Sequence, residues 1–318
     1  MPVVGDNDAL VANEISAISA GTERACLMDL PNLADEPPGN FPKCLGYSGV
    51  GRVIEVGKNI KNFQVGDRVL THRGSIHSNF IRLPEDGMVK IEDDSLPSEH
   101  AVFAVIGTFS LNGLRKTRLE LGESAAVVGL GILGLLSVAL CRIAGAAPVI
   151  ATDLNAERRQ LALELGAHVA FDPADPEYAE KVKAAARGGV NAVIEVTGQS
   201  IAMKQALEFT ARFGRIALLG CSRVSDASID YYQQVHRPGI EIIGAHARSR
   251  PDVESRPHSW TWQEDARAVL NFMSDGRLDM SKILSAVYAP QDSTEVFNAL
   301  AENKNFPVGA VFDWKQLK

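Results

Sequence analysis

The sequence lacks several features that mark other classes of protein. It has no long basic run and a formal net charge of −7, which argues against nucleic acid as a partner. Its four cysteines are scattered without a C-x-x-C pair, so they indicate neither a zinc knuckle nor a disulfide framework. No secretory signal opens the chain, and the longest apolar stretch, residues 125–141, is too short to span a bilayer. We therefore expect a cytoplasmic protein without a membrane segment.

A glycine triplet lies where an apolar strand gives way to an apolar helix. Residues 124–134 read SAAVVGLGILG, which contains the pattern G-x-G-x-x-G. A second apolar strand, VIATD, follows and ends in Asp153, about 20 residues after the third glycine. The two strands, the helix and the spaced acid together predict a dinucleotide-binding unit. An ordinary glycine-rich turn would not explain where the acid stands.

Each residue of this pattern has a separate physical role. Gly129 allows a tight turn, and Gly131 lets the backbone approach a pyrophosphate at the helix N-terminus. Gly134 lets the helix pack closely on the strand. Asp153 can accept hydrogen bonds from both ribose hydroxyls and would repel a 2′-phosphate, so NAD is favoured over NADP.

Strands and helices alternate from about residue 122, and six apolar strands predict a doubly wound parallel sheet of the α/β class. Ligands of such sheets bind at the carboxyl ends of the strands. The glycine loop and Asp153 lie at such ends. Further cofactor-binding residues are expected at Thr108, Ile132, Leu133, Arg158, Thr197, Gly198, Leu219 and Gly220.

The rest of the chain has a different pattern. Residues 1 to about 100 hold short alternating strands punctuated by proline and glycine, which predicts a small, partly open β-barrel. The tail after about residue 263 is expected to fold back onto it. We therefore expect a discontinuous catalytic domain of residues 1–104 and 248–318, and a dinucleotide-binding domain of residues 105–247, with the active site in a cleft between them.

The chain resembles the medium-chain dehydrogenase/reductase superfamily of zinc alcohol dehydrogenases and quinone reductases. The matching stretches, besides the nucleotide loop, are ISAGTE (18–23), GYSGVG (46–51), VGDRV (65–69) and GRI (214–216). The resemblance implies a Rossmann domain, a GroES-like catalytic domain and hydride transfer to or from a nicotinamide.

The sequence departs from the superfamily where zinc members bind their metal. It has Ala20 where they have a cysteine, Tyr47-Ser48 where they have His-Glu, and a region near Ala104 where a third cysteine would fall. The lobe with four cysteines is also absent. We therefore expect no zinc at either site. The stretches SAGTE (19–23) and GYSGVG (46–51) resemble those of a zinc-lacking branch of the superfamily that contains bacteriochlorophyllide and carbohydrate-type oxidoreductases.

Tyr47 is the first candidate to replace the metal, because its phenol can donate or accept a proton in place of a vanished ligand. A free tyrosine has a pKa of about 10, so a base role requires a nearby cation such as Lys43 or Arg73. The alternative is that Tyr47 only fills the emptied metal pocket.

Three more side chains are candidates for catalysis. Thr22 resembles the hydroxyl that relays protons in zinc members, or makes a turn hydrogen bond. Glu23 orients the site, or is a carboxylate that is solvated or lies behind the residues that contact the substrate. His72 follows the GDRV strand and is either an acid/base or a hydrogen-bonded structural histidine. His77 and His100 are expected to lie away from the chemistry.

The segment HARSRPDVESRPHSWTW, residues 246–262, looks longer than the corresponding connection in the superfamily. Arginine forks suit carboxylate or phosphate, and tryptophan faces suit sugar rings. We interpret it as a lid over a polyol, sugar or sugar acid; an oligomer contact or a solvated loop is the alternative. The expected substrate-binding residues are Arg73, Arg248, His258 and Trp260.

Three functions remain open from the sequence. The first is an NAD-dependent, zinc-independent dehydrogenase that acts on a secondary alcohol. The second is a zinc-free quinone or enoyl reductase that uses NADPH, which Arg158 and Arg159 keep open. The third is a non-catalytic dinucleotide sensor. A homodimer or homotetramer is expected because residues 241–244 form an apolar edge strand that needs a partner.

Overall fold

The computed structural model describes residues 1–33, 39, 41–224, 226–302 and 305–317, and its internal contacts divide the chain into two units. The first unit comprises residues 1–106 and 263–318, and the second comprises residues 107–262. The second unit therefore includes residues 248–262, which the sequence assigns to the catalytic domain. The reason is local, since the Arg115 guanidinium carbon lies 3.5 Å from the centre of the Trp260 ring.

The N-terminal part of the first unit is mostly antiparallel sheet. Its elements are β1 (Asp8–Ile18), α1 (Ala20–Leu27), β2 (Gly49–Val56), β3 (Arg68–Thr71), β4 (Phe80–Pro84), β5 (Met88–Lys90) and α2 (Ser98–Ala101). Strand β1 pairs with both β2 and β4, and β3 joins β2 to β5. One cluster of buried side chains from these strands includes Val11, Val53 and Val69.

The second unit is built on a parallel sheet. Its elements, with the helix that leads into it, are α3 (Ala104–Lys116), β6 (Ala125–Val128), α4 (Ile132–Ile143), β7 (Val149–Thr152), α5 (Ala156–Glu164), β8 (Val169–Phe171), α6 (Tyr178–Ala185), β9 (Val190–Glu195), α7 (Ser200–Phe209), β10 (Thr210–Leu218) and β11 (Glu241–Gly244). The strand order is β11-β10-β9-β6-β7-β8, with all neighbours parallel. The predicted doubly wound sheet is confirmed, and its order reverses between β6 and β9.

The central strands of this sheet are apolar because helices cover both of its faces. All four residues of β6 and of β7 are buried. Helix α4 is also strongly apolar and mostly buried, so a single polypeptide stretch supplies strand, turn and packed helix. The glycine loop between β6 and α4 therefore stands at the carboxyl edge of the sheet, next to the reversal of strand order.

The C-terminal elements complete the first unit. They are α8 (Trp262–Ser274), β12 (Leu284–Tyr288), α9 (Ser293–Glu302) and β13 (Gly309–Asp313). Strand β13 pairs with β1, so the tail joins the N-terminal sheet in the order β12-β13-β1-β2-β3-β5. Ile18, Leu300 and Phe312 pack in one buried cluster there. In the part of the chain that the structure describes, no helix has the length and apolarity needed to cross a membrane.

Candidate functional site

The glycine loop between β6 and α4 has the geometry of an anion-binding turn. Gly129 has φ +94°, in the left-handed region that favours glycine, and its N–H donates to the Thr152 carbonyl at 2.8 Å. A Cβ at Gly134 would collide with the Gly129 carbonyl oxygen, so α4 packs against the loop backbone. A Cβ at Gly131 would meet nothing within 4 Å. Gly131 is also the N-cap of α4 and offers no side-chain acceptor, which leaves the first N–H groups to an anion.

Asp153 follows β7 and ties the glycine loop to the next turn. Its Oδ2 accepts from the Leu130 N–H at 2.7 Å, and its Oδ1 accepts from the Asn155 N–H at 2.8 Å. An ionised carboxylate has about four acceptor sites, so each oxygen keeps capacity for a ribose hydroxyl. The sequence foresaw the acid but not its bond to the loop.

A cavity of about 350 Å³ lies beside Asp153, within the usual size of a ligand pocket. Leu154 and Ile201 line it and remain 70% and 64% exposed, although large apolar side chains are usually buried. Gln199 and Gln205 also line the cavity. An apolar slot next to a carboxylate matches the two parts of an adenosine, a flat base and a ribose.

The two arginines after Asp153 have different roles. Arg159 Nη1 lies 3.1 Å from Asp172 Oδ2 and also donates to the Asp153 carbonyl at 2.7 Å. Its guanidinium is therefore engaged within the turn. The Arg158 backbone N–H donates to the Asn155 cap, while its side chain is half-buried and makes no ion pair within the described ranges.

A buried carboxylate that the sequence analysis did not identify lies at the carboxyl end of β9. Glu195 ends β9 and is 2% exposed; its Oε1 accepts from the Thr197 N–H at 2.7 Å and its Oε2 from the Gly198 N–H at 3.1 Å. Its carbonyl accepts from the N–H groups of Leu219 and Gly220, both at 2.9 Å. Burial raises the pKa of Glu195, against the opposing effect of these bonds. The four predicted residues at the ends of β9 and β10 thus bind one residue, Thr197 and Gly198 through its carboxylate and Leu219 and Gly220 through its backbone carbonyl.

The three remaining predicted cofactor residues lie near the start of α4 or in α3. Ile132 and Leu133 open α4, and the Leu133 carbonyl accepts from Ser110 Oγ at 2.8 Å. Thr108 is fully buried in α3, and its carbonyl accepts from Arg250 Nη2 at 3.0 Å. Helix α3 is thereby fixed against both the glycine-loop helix and the segment after β11.

The candidate catalytic residues lie in the first unit, around the start of α1. The Tyr47 hydroxyl donates to Ser19 Oγ at 2.6 Å. Ser19 is the N-cap of α1, but its side chain caps no helical N–H. His72 Nδ1 donates to the Tyr47 carbonyl at 3.0 Å, and the two rings are 6.0 Å apart. The structure therefore brings Tyr47 and His72 together.

Glu23 is a buried residue of this cluster rather than a solvated carboxylate. It is 1% exposed; Oε1 accepts from the Ser19 N–H at 2.8 Å, and Oε2 lies 3.1 Å from His77 Nε2. His77, which the sequence places away from the chemistry, therefore contacts one of the candidate catalytic residues. Thr22, one position earlier on α1, is exposed, and its side chain makes no hydrogen bond within the described part of the chain.

The two cations proposed to activate Tyr47 bind carboxylates instead. Lys43 Nζ lies 2.7 Å from Asp29, and this hydrogen bond lowers the pKa of Asp29. Arg73 Nη2 lies 2.5 Å from Asp86. Both side chains are therefore paired with carboxylates.

The expected substrate-binding residues of the segment 246–262 belong to the second unit. Arg248 and His258 are exposed. One face of Trp260 is covered by the Arg115 guanidinium. Lys116, beside it on α3, has a pKa lowered by burial and by the nearby charges of Arg256 and Arg250. The segment is therefore anchored on α3 through Trp260 and Arg250.

The side chains at the positions where zinc members of the superfamily hold their metal differ in this chain from the usual zinc ligands. Ala20 and Ala104 carry no ligand atom, and the Tyr47 phenol is engaged with Ser19. Across residues 1–33, 39, 41–224, 226–302 and 305–317, no group of three or more histidine, cysteine, aspartate or glutamate side chains is placed to hold a metal ion.

Comparison with known proteins decides the family. Residues 5–110 match the alcohol dehydrogenase GroES-like domain, and residues 133–270 match the zinc-binding dehydrogenase family. The chain belongs to the medium-chain dehydrogenase/reductase superfamily. Both the fold and the resemblance predicted from the sequence are thereby confirmed, although the family description itself does not say whether this member holds zinc.

Individual members of this superfamily resemble the chain at moderate identity. It is 28% identical to (R,R)-butanediol dehydrogenase of Bacillus subtilis (strain 168) over 203 residues, 56% of this chain and 58% of that relative. It is 24% identical to D-guloside 3-dehydrogenase of Escherichia coli (strain K12), over 85% of this chain and 77% of the relative. An NADP-bound zinc-binding dehydrogenase from Sinorhizobium meliloti 1021 has a TM-score of 0.81 at 22% identity, covering 98% of this chain and 93% of that one. Because the named relatives are dehydrogenases, the chain is assigned to the oxidoreductases as an enzyme.

Proposed function

We propose that the chain is an NAD-dependent, zinc-independent dehydrogenase that interconverts a secondary alcohol and its ketone. The first unit is the catalytic domain, and the proposed substrate is a polyol, sugar or sugar acid. The observation that carries the proposal is the Tyr47 hydroxyl, which stands at a metal-ligand position of the superfamily and is held at 2.6 Å by Ser19. The relatives named for butanediol and for a guloside support an alcohol substrate.

The cofactor residues are proposed from the second unit. The first turn of α4 and Gly131 would hold the pyrophosphate, Asp153 the adenosine ribose, and the slot between Leu154 and Ile201 the adenine. When bound, the nicotinamide supplies the donor or acceptor of hydride. The carboxylate of Asp153 favours NAD, because a 2′-phosphate placed there would meet a negative charge without a paired cation.

Tyr47 supplies the proton in this proposal. In the direction of reduction, hydride adds to the carbonyl carbon and the phenolic proton passes to the carbonyl oxygen, so the ketone becomes an alcohol and Tyr47 becomes a phenolate. Ser19 Oγ, which accepts the phenol's hydrogen bond in the structure, can then donate to that phenolate. A positioned proton donor contributes roughly 10²- to 10⁴-fold, which offsets part of what a Lewis acid would supply.

A panel of polyols, sugars and sugar acids with NAD, followed by NADH absorbance, tests the proposal. We expect turnover on at least one secondary alcohol, with the corresponding ketone reduced by NADH. Tight NADH binding without turnover on any alcohol or ketone would instead favour the non-catalytic sensor.

One observation supports a second candidate, an NADPH-dependent reductase of activated double bonds. Arg158 lies one turn after Asp153 with its side chain outside any described ion pair, and the Sinorhizobium meliloti protein of similar fold was solved with NADP. Fluorescence titration with NADH and NADPH separates the two. Much tighter binding of NADPH would remove most of the support for the alcohol dehydrogenase.

A further inference from the structure

A line of hydrogen bonds connects the C-terminal tail to the neighbourhood of Tyr47. Trp314 Nε1 donates to Ser16 Oγ at 2.8 Å, and Ser16 Oγ lies 2.8 Å from His77 Nδ1. His77 Nε2 lies 3.1 Å from Glu23 Oε2. All four residues belong to the first unit, and the participating side chains are buried or half-buried.

The direction of each bond follows from the number of donors. The Trp314 indole can only donate, so Ser16 Oγ accepts from it. Ser16 is fully buried, and among the described residues the only other side-chain partner of its hydroxyl is His77 Nδ1. The hydroxyl hydrogen of Ser16 must therefore go to Nδ1, because no other described acceptor is within reach. His77 Nδ1 is then an acceptor, and the ring proton lies on Nε2.

This tautomer of His77 is the one that suits Glu23. An N–H on Nε2 donates to Oε2, whereas the other tautomer would face a ring lone pair toward a carboxylate oxygen at 3.1 Å. It would also leave the Ser16 hydrogen buried without an acceptor, which is costly inside a protein. A T-shaped contact with Phe312 and a tilted contact with Phe297, with ring centres 5.2 and 6.0 Å away, pack against the imidazole in this orientation.

Glu23 connects His77 to the backbone of Ser19. Its second oxygen accepts from the Ser19 N–H at 2.8 Å, in the manner of a capping box displaced by one residue. The Ser19 backbone is thereby fixed without using its own hydroxyl, which is left to accept from Tyr47 at 2.6 Å. Loss of the bond to Glu23 would free the N-cap to rotate and would misplace Oγ.

We propose that Trp314, Ser16, His77 and Glu23 are positioning residues. The Trp314 indole, acting through Ser16, sets the tautomer of His77, and His77 then holds Glu23 in the orientation that fixes Ser19 beside Tyr47. The last link, to the proton of Tyr47, rests on the proposed function. The first links concern only hydrogen-bond direction and are independent of it.

The test combines ¹⁵N NMR of the histidine ring with kinetics of the full chain. In the wild type, His77 should show a protonated Nε2 and an unprotonated Nδ1. In Trp314→Phe, which keeps an aromatic ring but loses the donor, we expect a mixture of tautomers and turnover lowered about three- to tenfold, with an altered pH profile and unchanged NADH affinity. Ser16→Ala should give the same phenotype, and the double variant should be no worse than either single one. Tyr288→Phe, in the same aromatic cluster, is the matched control and should leave both readouts unchanged.

The outcomes separate the two proposals. A wild-type His77 protonated on Nδ1, or a Trp314→Phe protein with unaltered tautomer and turnover, would overturn this inference. Additive losses in the double variant would also overturn it. If Tyr47→Phe turns over normally while Trp314→Phe still shifts the tautomer, the proposed function fails and the hydrogen-bond assignment stands.

Discussion

Replacing Tyr47 by phenylalanine removes one oxygen atom and leaves the ring in place. The oxygen donates a hydrogen bond to Ser19 Oγ at 2.6 Å, and this bond joins two uncharged groups. Such a bond contributes about 1 kcal/mol to stability, which corresponds to a fall of about 2–4 °C in Tm for a unit of 150–250 residues. A purely structural role for Tyr47 would thus be visible only as this small loss of stability.

A catalytic role predicts a much larger effect on rate. Loss of a positioned proton donor lowers turnover by about 10²- to 10⁴-fold, or about 3–5 kcal/mol in the barrier. The assay is ketone reduction by NADH under saturating cofactor, with NADH affinity measured separately by fluorescence and Tm by circular dichroism. We expect turnover to fall at least tenfold while NADH affinity is retained.

Tyr288→Phe supplies the control for this comparison. Tyr288 packs against Phe312 in the same unit, with ring centres 6.4 Å apart, and its hydroxyl makes no hydrogen bond within the described ranges. That variant should keep wild-type turnover. Wild-type turnover in Tyr47→Phe itself would refute the reasoning and return Tyr47 to a packing role.

Three further predictions concern the second unit. Asp153→Ala should weaken the binding of NAD and reduce the preference of the protein for NAD over NADP, as measured by titration with both cofactors. An unchanged preference would rule out the proposed contact of Asp153 with the ribose. Gly134→Ala should lower Tm because the added Cβ would meet the Gly129 carbonyl oxygen. Gly131→Ala should keep the wild-type Tm and lose affinity for NADH, because its Cβ meets no protein atom within 4 Å. Equal effects of the two substitutions on Tm and on NADH affinity would contradict the loop geometry. Burial raises the pKa of Glu195 above its ordinary value of 4.5, so the folded protein binds a proton more readily than the unfolded chain. The stability that this proton contributes is present below pH 4.5 and is lost as the pH rises through the raised pKa. Glu195→Gln should therefore gain Tm relative to the wild type as pH rises from 4 to 7, and parallel melting curves would count against a raised pKa.

The cofactor half of the molecule was largely predictable because its signals are local. Gly129, Gly131 and Gly134 lie within six residues of one another, and Asp153 ends the next strand. Backbone requirements of this kind can be recognised from a short stretch of sequence. Glu195 was missed because its role is to satisfy N–H groups of a turn, and a lone glutamate at a strand end carries no distinctive pattern.

The catalytic half was predicted less well because its contacts join distant parts of the chain. Tyr47, Glu23 and His72 were identified as candidates, yet His77 was set aside although it contacts Glu23 across 54 residues. Trp314 reaches Ser16 across 298 residues. Pairing of β13 with β1 creates that contact, and no local periodicity reports it.

A domain boundary shows the same limit. The sequence returns the chain to the catalytic domain at residue 248, whereas the Arg115–Trp260 stack keeps the following segment in the second unit. A tertiary contact overrides a plausible local pattern there.

The most direct test of zinc independence measures the turnover and the metal content of one preparation before and after exhaustive treatment with a chelator. We predict less than stoichiometric zinc in the purified protein and an NAD-dependent rate that the chelator leaves unchanged. A stoichiometric transition metal whose removal abolishes turnover, and whose return restores it, would contradict the account.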